Sequence, residues 1–104
     1  MDRAIVRGKV ASAPQFVTNA GKERCHFTMI LELERKKVID ATKTEYETVA
    51  TSVYVATEPE LTARCRALLT QGDNVLLFGV FGFHKGKLKM VASGIDLPDF
   101  QMVA

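Results

Sequence analysis

One interruption constrains this chain more than anything else in it. Residues 57–72, TEPELTARCRALLTQG, place Leu61, Cys65, Leu68 and Leu69 at helical spacing, whereas the flanking sequence repeats with period two. Thr57 with Glu60 has the form of a capping box, Pro59 sits early, where its missing N–H does no harm, and Gly72 suits a C-terminal cap. Three strand-like segments precede this helix. The first covers residues 3–10, where Ala4, Val6, Gly8 and Val10 alternate with Arg3, Ile5, Arg7 and Lys9. The loop APQFVTNAGKE follows, with Pro14, Asn19 and Gly21 as breakers. The second strand, residues 25–34, sets Phe27, Met29, Leu31 and Leu33 against His26, Thr28, Glu32 and Glu34. RKKVIDATKT is a polar, basic connection to a third strand, residues 46–55, rich in Val, Thr and Tyr. After the helix come a strand at 75–83, apolar on both faces and so expected to be central, and another at 88–95.

Three strands, one helix and two strands, with the strands antiparallel, predict an all-β chain. The order is that of the OB-fold, a five-stranded Greek-key barrel with one α-helix between strands 3 and 4 plugging an open end. With 104 residues, it is expected to be a single domain. No apolar run nears the roughly 20 residues of a membrane helix. The N-terminal MDRAIVRGKV lacks the continuous apolar segment of a secretory signal, so a cytoplasmic protein is expected. Cys25 and Cys65 have neither a CxxC nor a His pair beside them and read as small core residues, with no metal or other cofactor expected. His26 and His84 have no recognisable catalytic companions, which argues against an enzyme.

The net charge is only +2, so a polyanion partner would have to be met by charge sorted locally. Such sorting is visible in FGFHKGKLKM, residues 81–90. Lys85, Lys87 and Lys89 surround a tight turn at Gly86, with His84 as a further polar group of the loop. Arg35, Lys36 and Lys37 form a second basic cluster that would line the other rim of a phosphate-tracking groove. Tyr46 and Tyr54 share strand parity and offer platforms for base stacking, as does Phe16 in the first loop. Phe27, Phe78 and Phe81 are assigned to the core. Each feature also has a plainer use: lysines keep sheet edges from pairing, strand tyrosines pack across strands, and Phe16 can cover the barrel.

The segment PQFVTNAGKERCHFTMILE resembles the bacterial single-stranded DNA-binding proteins, in the order of its Pro, extended arm, Asn/Gly turn and Phe-centred strand. LTARCRALLTQGDNVLLFGVF is similar to their helix and fourth strand, with Leu61, Cys65, Leu69, Gly72, Val75 and Gly79 at the family's spacing. The short outline, ending soon after the fifth strand, resembles the primosomal replication protein N (primosomal protein B) branch, as does FHKGKLKMV, whose lysines contact DNA in that branch. The resemblance implies a non-catalytic binder of single-stranded DNA in replication, replication restart or repair. It implies a homodimer or tetramer, with a helicase or other replication proteins as partners. Tyr46 stands where the family commonly opens its third strand with Trp, a residue this chain lacks. Glu32, Glu34, Glu45 and Glu47, expected on or near the outward faces of strands two and three, would repel phosphate. The alternative reading is an OB-fold protein-interaction module with weak DNA affinity.

Overall fold

A computed structural model describes residues 3–97, without the side chains of residues 32–35. The described residues are mostly β with one short helix. Its elements are β1 (Arg3–Val10), β2 (Gln15–Asn19), β3 (Lys22–Asp40), β4 (Lys43–Thr57), a 3-10 turn (Pro59–Leu61), α1 (Thr62–Leu68), β5 (Asn74–His84) and β6 (Lys87–Asp96). The six strands form one sheet in the order β1-β5-β6-β4-β3-β2, and β1 pairs again with β3. The sheet thus curls until β1 touches both β5 and β3, and β2 hangs outside that ring on β3. Five strands were expected; the sixth comes from the segment read as a loop. Ala20 and Gly21 both take positive φ (53° and 77°), so Asn19 and Lys22 face each other across a two-residue hairpin turn.

Two further differences matter for function. The polar RKKVIDATKT is not a loop. β3 runs on to Asp40 and β4 begins at Lys43, so most of this segment is a projecting two-stranded arm. Val38, Ile39, Thr44 and Tyr46 are good strand formers, and the register puts Lys37 opposite Glu45 and Arg35 opposite Glu47. Asp40 closes the tip: its Oδ1 accepts from the Thr42 N–H at 2.7 Å and from the Thr42 hydroxyl at 2.8 Å. The second difference is that β4 and β6 pair in parallel, from Tyr54 opposite Lys89 to Thr57 opposite Ala92. The helix carries the chain from the end of β4 across to β5, so β6, after one hairpin reversal, returns in the direction of β4.

Inside the ring, Val10, Phe27, Met29, Val53, Val55, Val75, Leu77 and Met90 are all but sealed from solvent. Burying each such side chain stabilises by about 1.5–3 kcal/mol. The helix closes one end with Cys65 and Leu69 buried and Leu61 and Leu68 packed against the core. It is shorter than the sequence pattern suggests, and its ends differ. Thr57 forms no capping box; buried, it accepts the Cys25 N–H on Oγ1 at 3.1 Å and so ties β4 to β3. The helix stops at Leu69, whose N–H bonds to the Cys65 carbonyl, while the Gly72 N–H reaches the Val10 carbonyl at 2.8 Å. Cys25 and Cys65 are free, buried thiols as expected of small core residues; the hydrogen bond between them, together with burial, pushes the Cys25 thiol far up. Phe27 is core and Phe81 packs against it, but Phe78 is exposed, because it has the opposite parity to Leu77 on β5. Close strand approach requires glycine at position 79, where a Cβ would stand 2.1 Å from the Val91 carbonyl oxygen. Among the described residues, no helix is long and apolar enough to cross a membrane.

Candidate nucleic-acid interface

The outward face of β4 is built by strand alternation. Val53, Val55 and Thr57 point into the barrel, so Tyr54 and Ser52 point out. The register sets Tyr54 beside Thr28 on β3 and beside Lys89 on β6. Three side chains converge there. The Tyr54 hydroxyl lies 2.8 Å from His26 Nδ1, with the two rings tilted at 58° and their centroids 5.6 Å apart. Lys89 Nζ stands 5.5 Å from the Tyr54 ring centroid, within range of a cation–π contact. His26 is held below its ordinary pKa by burial first, then by the charges of Arg24 and Lys89. The His26 ring and the Tyr54 hydroxyl are joined by a hydrogen bond through Nδ1.

The β5–β6 hairpin supplies the rest. Lys85 and Gly86 take φ of 52° and 76°, the two-residue turn that suits strand twist, and His84 faces Lys87 across it. His26, Tyr54, His84, Lys85, Lys87 and Lys89 are thereby brought together around one hollow. An adjoining hollow shares Tyr54 and Lys87 and adds Thr28, Ser52 and Phe83. Aromatic surface ringed by lysines can stack a base and hold its phosphates.

The other expected site residues lie elsewhere. Tyr46 is 68% exposed on the arm, directly opposite Lys36, eight residues and thus about 26 Å along β4 from Tyr54. Lys37 sits opposite Glu45. The side chain of Arg35 lies outside the described residues, as do those of Glu32 and Glu34. Glu45 and Glu47 have the strand parity of Val53 and Val55, so they occupy the face of the arm away from the two tyrosines. Phe16 packs against the core, and the Arg66 guanidinium covers its ring at 4.4 Å while bonding Glu23 at 2.8 Å. His26, Phe83, Thr28 and Ser52 were not singled out as site residues from the sequence. Parity with Thr28 placed His26 on the outward face, but nothing local paired it with Tyr54. Phe83 continues the parity of buried Val75 and Leu77, yet it is 78% exposed because the hairpin outruns the barrel. Among the described residues, no three His, Cys, Asp or Glu side chains group closely enough to hold a metal ion.

No family model matches the sequence, and no curated protein does. Solved structures do match. The small single-stranded DNA-binding protein of Streptomyces coelicolor superposes with a TM-score of 0.75 at 17% identity, over 94% of each chain. The Plasmodium falciparum single-stranded DNA-binding protein, solved in complex with single-stranded DNA, gives 0.75 at 13% identity, over 95% of this chain and 96% of that one. The PriB protein of Ralstonia solanacearum gives 0.59 at 9% identity, over 94% and 98%. The chain has the fold of single-stranded DNA-binding proteins. Its outline, as the sequence implied, is shared with PriB.

Proposed function

We propose that this chain is a non-catalytic, cytoplasmic single-stranded DNA-binding protein acting in DNA replication, replication restart or repair. The observation that carries the reading is the hollow in which Tyr54 meets Lys85, Lys87, Lys89 and His84 on a fold shared with such proteins. Stacking is worth about 1–3 kcal/mol per base and works on any base, so the strand is bound with little sequence preference. Duplex DNA buries its bases and offers this site only phosphates. The proposed partner is therefore the single strand. Fluorescence anisotropy with oligo-dT and a matched duplex, each at two salt concentrations, tests this. Tighter binding to the single strand that weakens steeply with salt is expected; equal affinity for both strands, or no binding, rejects it.

The working form is a homodimer, in which two barrels lengthen one strand path. Ile5 is 66% exposed on β1 beside Phe78 at 37% on β5, an apolar pair that a second copy would cover. Sedimentation showing a monomer that Ile5→Asp leaves unchanged would remove the dimer. The second reading, a docking module for a helicase or other replication protein, is favoured by Val38 and Ile39, 66% and 48% exposed near the arm's tip. Apolar docking of that kind would be nearly insensitive to salt.

A further inference from the structure

We infer that Cys25 and Cys65 form a dithiol site, which closes to a disulfide across the contact of β3 with α1 when a low-molecular-weight disulfide reaches it. Both side chains point into the core, so the site acts whatever the outward face of β4 binds.

The geometry begins with the two elements. Cys25 lies on β3 and Cys65 on α1, with the whole of β4 between them in the chain. On β3, Glu23 and Cys25 share a face by strand alternation. On α1, Thr62, Cys65 and Arg66 share a face by helical spacing. The Thr62 hydroxyl donates to the Glu23 carbonyl at 2.6 Å, and Arg66 Nη2 donates to Glu23 Oε1 at 2.8 Å. Phe16, directly opposite Cys25 in the β2–β3 register, lies under the Arg66 guanidinium. These ties press the helix face onto the strand face, and the two thiols meet there in a hydrogen bond. A need for small core residues explains each buried cysteine separately. It does not explain why both cysteines of the chain meet each other where the helix docks. To become a disulfide, a hydrogen-bonded pair has only to close to a bond of about 2.05 Å.

The two thiols are unequal. Cys65 is held below its ordinary pKa, first by the hydrogen bond with Cys25 and last by the charge of Arg64, with burial opposing both. Cys25 is pushed far up by the hydrogen bond with Cys65, by burial and by the Cys65 charge. Cys65 therefore attacks as the thiolate. It bonds to one sulfur of the reagent, the reagent's own S–S bond breaks, and one thiolate leaves. Bound in this mixed disulfide, Cys65 no longer carries the charge that held the Cys25 proton. Cys25 then loses that proton and attacks Cys65 Sγ, and the second thiolate leaves. The two cysteine protons end on the two released thiols; the protein is oxidised and the reagent reduced. Access depends on the helix, which has seven residues and is too short to stand without its packing. Its local opening admits the reagent, and the disulfide then holds it shut. In a reducing compartment the pair stays open and closes only under oxidative load.

The test incubates the native protein in glutathione buffers of graded oxidised-to-reduced ratio. Free thiols are then counted by alkylation in denaturant and mass spectrometry. The expected product is a single chain lighter by two hydrogens, with neither cysteine alkylated. Its Tm should rise by about 10 °C and return on reduction. Cys25→Ser should stop at a glutathione adduct on Cys65, whereas Cys65→Ser should react several times more slowly. Thr62→Val, which removes the tie to Glu23, should close several times faster than the parent. Several results overturn the site: both thiols staying free in the native protein at every ratio, a disulfide that forms only in denaturant, oxidation that only joins two chains, or a closed form that melts below the reduced one. If Cys65→Ser reacts faster than Cys25→Ser, the assigned attack is wrong; if Thr62→Val closes no faster than the parent, the helix is not the gate.

Discussion

Two hairpins of this protein carry almost the same cations and use them differently. On the β3–β4 arm the basic run is contiguous, Arg35, Lys36, Lys37, and strand alternation splits it between faces. In the register Lys37 stands opposite Glu45, Arg35 opposite Glu47 and Lys36 opposite Tyr46, and Glu45 also lies 3.9 Å from the Lys43 ammonium of its own strand. On the β5–β6 hairpin the lysines are spaced by one residue. Lys87 and Lys89 fall on one face, opposite His84 and Gly82, with Lys85 in the turn between the strands and no acid opposite any of them. Spacing decides whether a strand adds its charges or cancels them. In one hairpin two of three cations stand opposite acids in the register; in the other none does.

The largest effect should follow from emptying the open rim. Replacing Lys85, Lys87 and Lys89 together with Ala is expected to lower the log–log salt slope of oligo-dT binding by roughly 2, at about 0.7 per phosphate contact, and affinity at about 0.1 M salt by about a hundredfold. Anisotropy titrations across a salt series measure both. A parent-like slope would mean that the hairpin is only a soluble edge. Next comes the aromatic wall. Tyr54→Ala should cost about 1–3 kcal/mol of binding with an almost unchanged slope, because stacking releases few ions. Tyr46→Ala, on the arm, reports whether the strand reaches that far, and a loss as large as that of Tyr54→Ala would make the arm a second station.

A smaller difference probes the cancellation itself. Lys36→Ala should reduce the slope by about 0.7, whereas Lys37→Ala, with Glu45 opposite it in the register, should reduce it less. Equal losses would show that cross-strand acids do not silence the arm. The smallest effect is in pH. His26 has its folded-state pKa lowered, by burial, Arg24 and Lys89, so its contribution to stability is present above its ordinary pKa of about 6.5 and is lost as pH falls below that. Bound phosphate acts the other way and favours the protonated ring. Oligonucleotide affinity should therefore rise as pH drops below about 6.5, and His26→Gln should flatten that rise. Replacing His84, the other imidazole of the hollow, with Gln in both proteins isolates the effect; a rise that survives in the double variant would exclude His26 as its source.

Much of the fold was legible because it rests on local period. β1 runs from Arg3 to Val10 as the alternation implied, and the switch to helical spacing after Thr57 marked the one helix. What stayed hidden was decided by pairing. The arm looked like a loop because its polar, basic letters hide a strand whose partner is set only by the β3–β4 register. Thr57 looked like a helix cap because its acceptor role lies with Cys25, far back in the sequence. The site divides the same way. The lysines of the β5–β6 hairpin could be read from adjacent letters, but His26 and Phe83 enter it only through β3–β4 register and through the reach of the hairpin beyond the barrel.

The parallel pairing of β4 with β6 has a consequence for how the protein comes into being. Tyr54 and Lys89 become neighbours only when those strands meet, and the helix and the whole of β5 separate them along the chain. A nascent polypeptide that has emerged through the helix already carries its tyrosines and its arm, yet lacks the hollow between Tyr54 and the hairpin lysines. That hollow is completed with the last strand, together with the barrel. On the proposed function, affinity for a single strand would be a readout of finished folding, and a chain halted during synthesis would lack it.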